Sequence, residues 1–156
     1  MKTKIRKGEK KDLASVLKLI QELADYEKAL EEVSITLTEL EHDGFGDQPY
    51  YSFLVAENGN EIVGLSFYFI RYSTWKGKFL FLEDFIIKKQ YRNQGIGSLL
   101  FEATIKVCKQ LDCNGMMWQV LDWNTSAINF YKKYNAEISD KWLNGKLTKE
   151  QLKEIY

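Results

Sequence analysis

Proline and histidine are nearly missing from this chain, with one of each in 156 residues, and cysteine occurs only twice. The single proline, Pro49, marks a loop, and no repeat or low-complexity segment breaks the sequence. The lone His42 sits in a polar helix end, where solvation is the expected role. Cys108 and Cys113 have no Cys or His neighbours, which argues against a zinc site and leaves them as free thiols. No metal is expected. Net charge is also lacking: 22 basic and 22 acidic residues cancel, so no basic face suggests nucleic-acid binding. No apolar run approaches a membrane span, and the N-terminus MKTKIRKGEKKD has no apolar signal-peptide core. Neither nucleic acid nor membrane is expected as a partner, and a cytoplasmic location is the expectation.

What is present is core material. Hydrophobic residues make up 45% of the chain and aromatics 14%, which fits one globular domain over 1–156 and argues against disorder. Thr3–Arg6 reads as a first strand, and Gly8 and Asp12 lead into a helix with Leu13, Val16, Leu17, Ile20 and Leu23 at helical spacing. Thr38 and Glu41 suggest a capping box for a second helix that Gly44 stops. Asn58-Gly59 between Tyr51–Glu57 and Glu61–Arg71 predicts a hairpin with a type I′ turn. Strand Lys78–Lys88 follows, then a helix from about Gly97 to Leu111 with Leu99, Leu100, Ala103, Val107 and Leu111 on its apolar face. Met116–Leu121 reads as a strand, Ser126–Tyr134 as a helix, and the tail from Ala136 as a weak strand, helical from Lys149. A hairpin before a β–α–β unit implies an α+β fold around one sheet.

The most informative stretch is Arg92-Asn93-Gln94-Gly95-Ile96-Gly97, an R-x-x-G-x-G sequence between an apolar strand and an amphipathic helix. Its glycines let backbone N–H groups turn inward at the positive end of the helix, a seat for a diphosphate. It is no P-loop, because Ser98-Leu99 follows Gly97 and no lysine is there. It is no dinucleotide fingerprint either, since Leu100 stands where a third glycine or alanine belongs. Arg92 either contacts a phosphate or caps the loop. Nearby, Glu83 is a carboxylate in an otherwise apolar strand, out of place unless it lines a cleft. Strict alternation along that strand would turn Asp84 to the opposite face.

These segments, with Leu23-Ala24-Asp25-Tyr26-Glu27, Asp43-Gly44-Phe45-Gly46, Trp75-Lys76-Gly77-Lys78, Leu82-Glu83-Asp84-Phe85, Trp123-Asn124 and Ile128-Asn129-Phe130-Tyr131-Lys132-Lys133, resemble the GNAT N-acetyltransferases. Within that superfamily the chain is most similar to the diamine (spermidine/spermine and thialysine) acetyltransferases. The resemblance implies a mixed, mostly antiparallel central sheet flanked by helices, with a β–α–β core that binds acetyl-CoA as co-substrate. It implies that the main chain of Phe85, Ile86 and Ile87 holds the pantetheine arm, that Asn93, Gln94, Gly95, Ile96, Gly97 and Ser98 with Arg92 wrap the diphosphate, and that Asn124, Ser126, Ala127 and Tyr131 add cofactor contacts. Asn124 and Ser126 also read as helix N-cap residues.

Acetyl transfer to an amine needs an unprotonated nitrogen and a protonated leaving thiolate. The resemblance assigns the first task to Glu83 and the second to Tyr131. It places the cationic acceptor among Tyr26, Glu27, Glu83, Met117, Trp118, Gln119 and Asp140, although Glu27 also reads as one of several solvated acids. Asp122 is a further acidic candidate. Departures fall on the acceptor side: Asn135 replaces a glycine, Asp122 a glutamate, and the acidic run before the C-terminal tryptophan is reduced to Ser139-Asp140-Lys141-Trp142. The implied partner is a small cationic amine, with a homodimer to which the Trp142 segment contributes. Other amine acceptors, or an acetyl-CoA-binding module without turnover, are the alternatives.

Overall fold

The computed structural model describes residues 2–156. Residues through Gln119 form one compact unit and residues from Val120 a second. In the first, the order is β1 (Lys4–Lys7), α1 (Leu13–Tyr26), α2 (Leu37–Phe45), β2 (Ser52–Asn58), β3 (Glu61–Ser73), β4 (Gly77–Ile87), α3 (Ile96–Gln110) and β5 (Met116–Trp118). The sheet has the order β1-β2-β3-β4-β5. Every pairing is antiparallel except β4 with β5, which α3 joins as a parallel pair. This is the expected α+β class with a mostly antiparallel sheet.

Alternation along the strands gives the sheet two apolar faces. On one, Leu13, Val16 and Leu19 of α1 and Leu40 of α2 pack on Phe53, Val55, Leu65 and Ile86. Full burial of such a side chain contributes about 1.5–3 kcal/mol. On the other, Thr104 of α3 bonds Ser66 at 2.7 Å, and Phe101 meets Phe85 and Trp118 edge-on with centroids 5.6 Å away in each case. The buried residues of α3 are Ile96, Leu100, Phe101, Thr104 and Cys108. The expected stripe is therefore rotated: Leu99 and Leu111 are exposed. Phe101 is the larger apolar group, and burying it decides the rotation.

Other local expectations shift in detail. The capping box of α2 is Thr36 with Glu39, two residues before the expected pair, and the helix passes Gly44 to end at Gly46. The β2–β3 loop is Gly59-Asn60, since Asn58 pairs with Glu61. A positive φ falls on Gly59, with neither Asn58 nor Asn60 joining it, which matches a type II′ rather than a type I′ turn. β5 stops at Trp118 instead of Leu121. The second unit contains α4 (Thr125–Lys132) and α5 (Lys149–Glu154), and among the described residues no strand forms after Ala136. Among the described residues no helix is long and apolar enough to cross a membrane.

Candidate functional site

The centre of the first unit's site is an irregularity in β4. Phe67 opposes Asp84 while Tyr68 opposes Leu82, so Glu83 is an extra residue without a cross-strand partner. This β-bulge resets the alternation. Asp84 consequently shares the α1 face with its partner Phe67, not the opposite face that strict alternation required. Beside the bulge the sheet splits. The β4–β5 pairing ends at Leu82 opposite Trp118, and beyond it residues 84–87 ladder only with β3 among the described residues. Phe85, Ile86 and Ile87 lie on this half-paired edge. Glu83 is exposed at its start.

Asp84 opens into a cleft of about 220 Å³ whose walls include Leu23, Ala24 and Val33 and whose charged groups are Glu27, Glu32 and Asp84. Burial, then the negative charges of Glu83 and Glu27, push the Asp84 carboxyl up to about 7. Burial also raises Glu27. Among the described residues no ammonium or guanidinium pairs with either carboxylate. Half-buried acids without a cation are costly, and an ammonium is the group that would relieve them. Glu27 follows Tyr26 at the C-terminal end of α1.

The glycine loop has the backbone expected of an anion seat. Asn93 (φ 60°) and Gly95 (φ 79°) are both left-handed, and a Cβ placed on Gly95 would meet nothing within 4 Å. The first intrahelical donor of α3 is the N–H of Leu99, to Gly95 at 3.1 Å, so the N–H groups of Ile96, Gly97 and Ser98 have no helical acceptor. The Gln94 side chain turns back to the Gln90 carbonyl at 3.1 Å. Arg92 behaves as a cap: its Nε donates to the Ile87 carbonyl at 2.8 Å, and its guanidinium lies over Tyr26, 5.3 Å from the ring centre. The β5 residues divide by face. Trp118 is turned to Phe101 of α3, while Met117 is partly exposed beside Phe81 in the register. Gln119 follows the strand and is exposed.

In the second unit, Asn124 caps α4 by accepting the Ala127 N–H at 3.2 Å. Ser126 is not an N-cap; it lies in the first turn and is exposed. Tyr131 is buried near the end of α4, its ring edge-on to Phe130 at 5.5 Å. Asn135 takes the left-handed conformation (φ 57°) that the replaced glycine would favour. Asp140 is exposed in an irregular segment, and Trp142 and Leu143 are 83% and 95% exposed.

Sequence reasoning missed Asp84 as a cleft residue. A bulge leaves no pattern in one sequence; the only signal was a second carboxylate beside the first in an apolar strand.

Residues 16–136 match the acetyltransferase (GNAT) family. The chain is 40% identical over 141 residues to a thialysine N-epsilon-acetyltransferase of Bos taurus, covering 85% of this chain and 83% of that one. It is 35% identical to the protein so named from Mus musculus, covering 98% and 96%. An integron cassette protein from the mobile metagenome of V. cholerae shares the fold, with a TM-score of 0.79 at 18% identity over 99% of this chain and 98% of that one.

Proposed function

The chain belongs to the acetyltransferase (GNAT) family and is an acetyl-CoA-dependent N-acetyltransferase, and from that premise we propose that it acetylates a primary amine of a small polyamine or thialysine-like diamine by direct attack. The observation that carries this reading is the cleft with Glu27 and Asp84 and no cation of its own. A diamine has one nitrogen to be acetylated and a second, protonated one to satisfy such a cleft.

In this reading the strand edge Phe85–Ile87 carries the pantetheine arm, and the loop Asn93–Ser98 the diphosphate. Asn124, Ser126 and Ala127 add cofactor contacts, and Met117, Trp118, Gln119 and Asp140 border the acceptor. An alkyl amine has a pKa near 10.4, so it must lose a proton before it attacks. Glu83, exposed at the bulge, takes that proton directly or through water. The nitrogen adds to the thioester carbonyl and the C–S bond breaks; the leaving thiolate takes a proton from the Tyr131 phenol, and the proton that the nitrogen sheds on becoming an amide returns through water to the phenolate. The exposed Trp142 segment supports a homodimer, whose mass light scattering reads; a monomer at assay concentration removes that part.

The test is acetyl-CoA-dependent thiol release with spermidine, spermine, putrescine, thialysine, lysine, an aminoglycoside and a peptide amine. The diamines are expected to have the highest kcat/KM. Release with only the other amines would keep the chemistry and discard the acceptor class. With the preferred amine, Tyr131→Phe is expected to lower kcat by about a hundredfold, far more than it lowers acetyl-CoA affinity. Unaltered turnover would take Tyr131 out of the acid role.

A further inference from the structure

The turn between β4 and the phosphate loop is fastened on two sides. On one side Glu61 of β3 accepts from Lys88 Nζ at 2.6 Å and from the Tyr91 hydroxyl at 2.7 Å. On the other, the turn is held to α1. The Lys89 N–H donates to Glu22 at 3.2 Å, and one helical turn further on the Arg92 guanidinium covers the Tyr26 ring. Arg92 is not free to swing outward on its stem, because its Nε is committed to the Ile87 carbonyl. A planar guanidinium pinned at Nε and set over a ring is a geometry that lysine cannot reproduce.

The residue that opens the diphosphate loop therefore rests on the residue that precedes a cleft carboxylate. From this contact we infer that Arg92 is a positioning residue, coupling the acetyl-CoA loop to the acceptor cleft through Tyr26, and not a phosphate ligand. The inference rests on the acetyltransferase reading above and adds to it a physical link between the two substrates. When the loop closes on a diphosphate, the backbone at 92–94 is held, and with it the guanidinium plane. Tyr26 then has a fixed surface to rest on, and the end of α1 carrying Glu27 is kept in place. Loss of this cation–ring contact should weaken amine binding while leaving the N–H cradle for the diphosphate intact.

A double-mutant cycle on the full chain tests this, using Arg92→Lys, Tyr26→Leu and the pair, with Tyr26→Phe as the ring-retaining control. Acetyl-CoA Kd is read by calorimetry and amine KM by thiol release, with whichever panel amine turns over. Each disruptive single variant is expected to raise amine KM about fivefold to tenfold, in keeping with a partly desolvated cation–π contact. Acetyl-CoA Kd should stay within about twofold, the pair should be no worse than either single variant, and Tyr26→Phe, which keeps the ring under the guanidinium, should raise amine KM less than Tyr26→Leu. Two results would overturn the inference: Arg92→Lys weakening acetyl-CoA with amine KM unchanged, or additive effects in the pair. Coupling seen with a non-diamine acceptor, when no diamine turns over, would discard the diamine reading alone. A wild-type chain that acetylates no amine would overturn both.

Discussion

Asp84 shows how one side chain can register the whole fold. Its carboxyl moves from an ordinary 3.8 to about 7, chiefly because burial disfavours the charged form. Between those values the folded chain holds the proton more tightly than the unfolded chain, so stability falls as pH rises through this window and the full penalty applies above pH 7. Asp84→Asn removes that penalty. It is expected to stabilise the chain at pH 8 by about 4 kcal/mol at most, on the scale of about 1.4 kcal/mol per pKa unit, and by nothing near pH 3. Thermal melts across pH check this, and an equal gain at both pH values would contradict the assignment. The same variant should raise diamine KM at pH 8. In the wild-type chain diamine KM should climb as pH falls below 7, because a protonated Asp84 no longer attracts the second ammonium. Stability and acceptor binding thus trade against each other at one atom group.

At the scale of elements, ends and irregularities matter most. α2 opens with a reciprocal cap: the Glu39 N–H donates to Thr36 Oγ1 at 3.2 Å, and the Thr36 N–H donates to Glu39 Oε2 at 2.8 Å. Thr36→Ala is expected to cost about 1 kcal/mol and Thr38→Ala much less, measured by denaturant unfolding. The reverse ranking would place the cap where spacing alone had put it. α3 ends in a different motif: Cys113 N–H bonds the Cys108 carbonyl at 3.1 Å and Asp112 N–H bonds Lys109 at 3.0 Å, around a left-handed Asp112 (φ 54°). This is a Schellman closure; Cys108 beside it is buried, Cys113 is partly buried, and both thiols are free. The bulge at Glu83 is the functional counterpart. One inserted residue turns Asp84 onto the α1 face and coincides with the end of the β4–β5 ladder.

Over the first unit as a whole, the sheet separates the acidic cleft from the glycine loop, and β4 runs between them. Its α1 face bears the acidic cleft, while α3 on the other side begins with the glycine loop. Arg92 links the two through Tyr26. The sequence by itself determined the fold class, the strand–loop–helix around Arg92–Gly97, the position of most elements, and Glu83 as an anomalous acid. These rest on local causes: apolar periodicity, glycine where φ is positive, and a charge in an apolar run. Only the tertiary structure decided the rest. The pairing register created the bulge and the direction of Asp84, and competition for burial chose Phe101 over Leu99 on α3. Partial burial added Asp84 to Glu27, which the resemblance had already named. Register, burial and desolvation depend on partners distant in the chain, and a periodic pattern carries no record of them.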